Sequence, residues 1–147
     1  MEIKNITVLG SGIMGHGISQ VSAMAGYNVV LRDIEQKFLD NAMDKIKWSL
    51  DKLVSKEKIS NDERNKIISR IRPMVDLNDA VKDSDLVIEA VPEIMDLKKK
   101  VYAELDKAAD DRVIFASNTS TLPITEIANT ISKPDKFIGI HFFNPPQ

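Results

Sequence analysis

The 147-residue chain contains no cysteine, which excludes a disulfide framework, a thiolate zinc site and a cysteine nucleophile. Histidine is scarce as well. With only His16 and His141, no multi-histidine metal centre is expected. No apolar run approaches the ~20 residues that a membrane span requires, and the opening Met-Glu-Ile-Lys-Asn leads straight into a strand pattern without a signal-peptide layout. The chain therefore reads as soluble and cytoplasmic, with no membrane partner. One-sided charge is missing too: 20 basic against 22 acidic residues leave a net charge of −2, which argues against a nucleic-acid partner gripped through a basic field. What is present, 43% hydrophobic and 29% charged residues, is the composition of one globular domain with a substantial core.

No repeat or low-complexity segment interrupts the chain, and strand-like runs alternate with helix-like ones. Ile6 to Leu9 is a short apolar run closed by Gly10, and Ile13 to Ala25 reads as a helix stopped by Gly26. Asn28 to Leu31 is the next strand. Apolar residues from Phe38 to Val54 recur at helical spacing, and Ser60-Asn61-Asp62-Glu63 has the spacing of a capping box that opens a second helix with Ile67, Ile68 and Ile71 toward the core. These two helices form a hairpin. A short strand is expected from Met74 to Leu77, after Pro73, and a stronger buried one from Leu86 to Val91. A helix over Ile94 to Ala109, a strand over Val113 to Ser117, a short helix over Pro123 to Ile131 and a strand over Phe137 to Ile140 complete the pattern. The expected fold is α/β, a Rossmann-type doubly wound and mostly parallel sheet with a helical hairpin inserted after the second strand, in a single domain over residues 1–147.

Gly10-Ser11-Gly12-Ile13-Met14-Gly15 fits G-x-G-x-x-G, a weak signal alone and a strong one between an expected strand and an expected helix. Gly10 allows a tight turn, Gly12 lets backbone approach a pyrophosphate, and Gly15 lets helix pack closely on strand. The N–H groups that open the helix then face the phosphates. Asp33 ends the second strand, where a carboxylate accepts hydrogen bonds from the adenosine ribose and would repel a 2′-phosphate. NAD is the expected cofactor, with Arg32 the one feature that leans toward NADP. No metal is expected. His16 reads as a solvent-facing residue of the first helix, without a role.

The chain resembles the 3-hydroxyacyl-CoA dehydrogenase family, 3-hydroxybutyryl-CoA dehydrogenases included. The resemblance runs through the glycine motif, Glu89-Ala90-Val91-Pro92-Glu93, Ser117-Asn118-Thr119-Ser120 and His141-Phe142-Phe143-Asn144-Pro145, in the family's order. It implies an oxidoreductase of fatty acid metabolism and beta-oxidation that oxidises (S)-3-hydroxyacyl-CoA to 3-oxoacyl-CoA with hydride transfer to NAD. His141 then matches the family's catalytic base, a task that suits an imidazole near neutral pH. Ser120 matches the serine that touches both the substrate oxygen and the nicotinamide side. Glu93, Lys98 and Asn144 match cofactor contacts, although Lys98 also reads as one of a solvated Lys98-Lys99-Lys100 run. Ser49 and Lys56 match contacts to the coenzyme A portion of an acyl-CoA substrate. The stretch from Lys37 to Arg72 carries an excess of four positive charges, which suits a phosphate-rich ligand and equally an exposed hairpin. Trp48, off the main apolar stripe, either covers a ligand or packs on the second helix.

Family members continue past the equivalent of Gln147 into a glutamate that orients the histidine and a C-terminal helical domain that closes the acyl site and commonly forms the homo-oligomer. The chain accordingly reads as the cofactor domain of such an enzyme, poorly active alone. Two other readings stand beside it: a stand-alone dinucleotide-binding module without catalysis, and another NAD-dependent 3-hydroxy-acid dehydrogenase of the hydroxyisobutyrate type.

Overall fold

The computed structural model describes residues 2–147. Six parallel strands lie in the order β3-β2-β1-β4-β5-β6, with β1 Asn5–Leu9, β2 Asn28–Arg32, β3 Ile71–Met74, β4 Leu86–Glu89, β5 Ile114–Ser117 and β6 Phe137–Gly139. All five pairings are parallel, so the expected doubly wound sheet is present and carries no antiparallel strand. The order reverses between β1 and β4, the switch point outside which such sheets hold their ligands.

Alternation along the strands decides which layer each side chain joins. Ile6, Val8, Val29, Leu31, Ile88 and Ala116 enter a core shared with α1 (Ile13–Met24), α2 (Gln36–Ser55) and α3 (Asn61–Ser69). Leu9, Val87, Phe115 and Phe137 enter the opposite core, beneath α5 (Met95–Ala108) and α6 (Ile124–Ala128). There the fully buried Tyr102 donates to the Ala116 carbonyl at 3.0 Å and meets the Phe137 ring edge-on at 4.7 Å between centroids. In α2 the residues Leu39, Ala42, Ile46 and Leu50 are buried at helical spacing. Each such leucine or isoleucine contributes about 1.5–3 kcal/mol by leaving water, which outweighs the missing side-chain cap at Glu35. Gly26 stops α1 at φ +101°, as expected. The capping box also forms: Ser60 Oγ accepts from the Glu63 N–H while Glu63 accepts from the Ser60 N–H.

Three expectations need correction. The third strand is Ile71–Met74 and not Met74–Leu77, and it contains Pro73. A strand tolerates proline at the sheet edge, where a missing N–H leaves no neighbour unpaired, and β3 is an edge strand. Ile71 is thus a strand residue, buried, and only Ile67 and the half-buried Ile68 serve α3. Residues Leu77–Val81 form a one-turn helix, α4, capped by the Asp76 carboxylate on the Asp79 N–H at 2.9 Å. The helix α6 is shorter than expected, with Pro123 as its N-cap and not in its first turn.

Candidate functional site

The last residues of neighbouring strands stand in one row across the sheet: Met74, Arg32, Leu9, Glu89, Ser117 and Gly139. The residues one or two positions beyond that row emerge at the same edge, which gathers the Gly10 turn, Asp33, Val91, Asn118 and His141 from positions up to 131 residues apart in number.

The glycine turn behaves as its spacing predicts. Gly10 has φ +90°, and a Cβ there would stand 2.7 Å from the Ala90 carbonyl oxygen. A Cβ at Gly15 would fall 1.6 Å from the Gly10 carbonyl oxygen, so α1 can lie on the turn only without a side chain at that position. At Gly12 the space is open to 4 Å. Gly12 is also the N-cap of α1, with no side chain capping the first turn, which leaves backbone donors of a twelve-residue helix available to an anion. Asp33 lies one residue beyond β2, not in it. Its Oδ2 accepts from the Ser11 N–H at 2.7 Å and the Ser11 hydroxyl at 2.6 Å, and its Oδ1 from the Ile34 N–H at 2.7 Å. His16 is half-buried, and its Nδ1 lies 2.6 Å from the Gly12 carbonyl oxygen in an exposed contact.

A groove of about 670 Å³ runs along this turn, with Gly10 to Met14 and Asp33 on one wall and Pro92, Leu97 and Val101 on the other. It adjoins a cavity of about 330 Å³ lined by Glu93, Asn118, Ser120, His141, Phe143 and Asn144, and Met14, Ala90 and Val91 wall both. Ser120 Oγ and His141 Nε2 lie 2.9 Å apart at that cavity. The segment carrying His141 is fastened to the sheet by the Ile140 N–H on the Ser117 carbonyl at 3.0 Å and the Phe142 N–H on Asn118 Oδ1 at 2.8 Å. Asn118 is thus a structural clamp that sequence reading left without a role.

Lys98 is 1% exposed, so the solvated reading of the lysine run fails for this member, whereas Lys99 pairs with Glu126 across the surface. The Lys98 ammonium lies 2.6 Å from Glu89 Oε1 and 3.2 Å from Glu93 Oε2. Glu93 in turn accepts from the Thr119 hydroxyl and from the Ser120 and Thr121 N–H groups at 3.2 and 3.4 Å. Partial burial opposes its charge, but the Thr119 bond and then Lys98 outweigh it, and the Glu93 carboxyl is held below its ordinary 4.5. Glu89 and Ser117 were missed as site residues. The available signal was a charged residue ending an otherwise apolar strand.

Ser49 and Lys56 line neither cavity. Ser49 is half-buried midway along α2 and Lys56 is its exposed C-cap. Trp48 is 62% exposed, with the Lys52 ammonium 3.5 Å from its ring centre, a cation–π pair on the outer face of α2.

Residues 5–147 match the family profile described as 3-hydroxyacyl-CoA dehydrogenase, NAD binding domain. The chain belongs to that family. Its glycine turn, uncapped α1 N-terminus and Asp33 fit the dinucleotide, so the domain's cofactor is NAD. The domain is 48% identical over 144 residues to the fatty acid oxidation complex subunit alpha of Idiomarina loihiensis, covering 98% of this chain and 20% of that one. It is 41% identical to the human mitochondrial hydroxyacyl-coenzyme A dehydrogenase, covering 97% of this chain and 47% of that one. The crystal structure of 3-hydroxybutyryl-CoA dehydrogenase from Escherichia coli K12 superposes with a TM-score of 0.96 at 35% identity, over 99% of this chain and 31% of that one. The domain therefore spans about half the length of the human relative or less of the others. Among the described residues, no helix is long and apolar enough to cross a membrane.

Proposed function

We propose that this domain serves an NAD-dependent oxidation of (S)-3-hydroxyacyl-CoA to 3-oxoacyl-CoA, with His141 as general base and Ser120 as its hydrogen-bond partner on the substrate oxygen. The observation that carries the reading is the 2.9 Å Ser120–His141 pair, set in a cavity that adjoins the groove of the glycine turn and shares Met14, Ala90 and Val91 with it. NAD, when bound, supplies the hydride acceptor. Binding of NAD and placement of the base fall to this chain's residues. The first turn of α1 holds the pyrophosphate, Asp33 the ribose, and Glu93 and Asn144 the end nearest the chemistry. Lys98, turned inward, acts on the cofactor through Glu93. His141 Nε2 takes the proton of the substrate hydroxyl while Ser120 fixes that oxygen within reach.

Ser49 and Lys56 on α2 hold the coenzyme A portion in this reading. A helical second domain closes the acyl site and supplies the homo-oligomer contact, and the compartment is the cytoplasm. The relatives' names, a hydroxyacyl-coenzyme A dehydrogenase and a fatty acid oxidation complex subunit, support the substrate class.

The test is His141→Gln in the two-domain protein, with NADH formation from 3-hydroxybutyryl-CoA as readout. Loss of positioned acid–base catalysis lowers kcat by about 10²–10⁴-fold, with NAD affinity unchanged. Near-normal turnover would refute the assignment of the base. Lys56→Ala raises KM for the CoA thioester and spares that for NAD, and an unchanged KM would return Lys56 to the solvated surface.

A further inference from the structure

The Glu89–Lys98–Glu93 cluster is unbalanced. Glu89 is 0% exposed and Lys98 1%, so both charged groups of this pair are removed from water. Both oxygens of Glu89 are engaged by protein donors: its Oε1 accepts from Lys98 and from the Val91 N–H at 2.8 Å, and its Oε2 from the Ser117 hydroxyl at 2.6 Å. A buried ion pair of this kind is costly to assemble and weak as a source of stability. A hydrophobic pair at the same place under α5 would fill the layer as well, so its stabilising value does not account for it.

With Lys98 compensating one carboxylate, the trio keeps one surplus negative charge. Glu93 is its outward member, 38% exposed at the side chain and lining the cavity with His141, Ser120 and Asn144. The field of the buried carboxylate reaches across the lower layer, where burial and then the Glu89 charge push the Tyr102 phenol well above its ordinary 10.0. The oxidised nicotinamide ring carries a positive charge that the reduced ring lacks.

We propose that Glu89 is a positioning residue that keeps the Glu89–Lys98–Glu93 trio net negative, so that the cavity holds the oxidised ring of NAD more tightly than the reduced one. The proposal rests on the reading above that the reacting ring lies in the His141 cavity. Without Glu89, Lys98 would neutralise Glu93 and the cavity wall would present a dipole in place of a charge. A site that favours the oxidised ring makes return of hydride to a 3-oxo compound the easier direction on the protein.

The experiment is calorimetric titration of the chain with NAD+ and with NADH, which needs no turnover. Glu89→Gln keeps shape and hydrogen-bonding capacity while removing the charge. It lowers the ratio of NAD+ to NADH affinity by at least about threefold, the size expected for loss of one partly screened charge from the cavity wall. Glu89→Gln with Lys98→Met restores the net charge and restores the ratio, which loss of packing alone would not do. Glu93→Gln, at the exposed end of the trio, lowers the ratio in the same direction and remains decisive if Glu89→Gln fails to fold. An unchanged ratio in a folded Glu89→Gln or in Glu93→Gln would overturn the proposal, as would a double variant no better than the single one. Failure of the unmodified chain to bind either form would overturn the underlying reading, and the proposal with it.

Discussion

Consider Gly15→Ala beside Gly12→Ala, two one-carbon additions three residues apart. The new Cβ at position 15 would meet the Gly10 carbonyl oxygen at 1.6 Å and its carbon at 2.7 Å, backbone atoms of a turn that is itself pressed against Ala90. No rotamer relieves such a contact, so α1 must lift from the turn and from β1. Overpacking of this severity belongs at the top of its usual range, about 3 kcal/mol, and the better helix propensity of alanine returns about 1 kcal/mol. The net loss of about 2 kcal/mol is a large share of a typical 5–15 kcal/mol, and corresponds to a fall in Tm of about 4–8 °C. At position 12 the added carbon meets nothing within 4 Å. There Tm should fall by no more than ~2 °C, reflecting the poorer alanine N-cap, whereas NAD affinity should fall at least ~10-fold because the carbon occupies the approach to the helix N-terminus. Differential scanning calorimetry and isothermal titration read the two effects separately. A Gly15→Ala variant with unchanged Tm, or a Gly12→Ala variant that binds NAD normally, would refute the division of labour.

Three further outcomes follow from other contacts. Asp33→Ala should weaken NAD binding roughly tenfold or more, the value of a hydrogen bond to a charged group, and narrow the preference over NADP; tighter binding of NADP by the unmodified chain would contradict the role given to Asp33. The Asp85 carboxyl is held below its ordinary 3.8, first by the Lys4 and Asn5 N–H groups at 2.9 Å each, against the effect of burial and with help from Arg112 and Lys4. Its contribution is full above that ordinary value and disappears as pH falls through the lower folded one, so the Tm gap between the unmodified protein and Asp85→Asn should close below about pH 4, and a gap independent of pH would refute it. Ser60→Ala removes the acceptor that serves the Glu63 N–H at 3.1 Å, and should cost about 1 kcal/mol in chemical denaturation; a loss within experimental error would show that the hairpin is held by α2 packing alone.

Legibility in the sequence tracked the range of the interaction. The glycine turn, the stop at Gly26 and the capping box at Ser60 are local, and each was readable because a few consecutive residues contain both partners. The strand around Pro73 was misplaced because proline counts against a strand unless that strand is known to be at an edge, and edge position is a property of the whole sheet. Five residues are too few for helical periodicity to register, which hid α4. In the site, Asp33 and the glycines follow from spacing, and His141 and Ser120 from family resemblance, 21 residues apart until β5 and β6 bring them together. The Glu89–Lys98 pair was hidden because Lys98 looks like its neighbours in the run. Only the face that α5 turns to the sheet distinguishes it, and there it replaces an apolar side chain.

The hydrogen bonds around Asp33 bear on how the domain receives its cofactor. Both carboxylate oxygens are already committed to donors of the protein, two from Ser11 and one from Ile34, so the rotamer that would greet a ribose is selected before any ligand arrives. Freezing such a side chain at the moment of association typically costs about 0.5–1.5 kcal/mol; here the loss of freedom belongs to folding instead. Oδ1, with a single donor, retains an acceptor site, and Ser11 acts as a place-holder on Oδ2 that keeps the carboxylate aimed while the groove is exchanging one dinucleotide for the next.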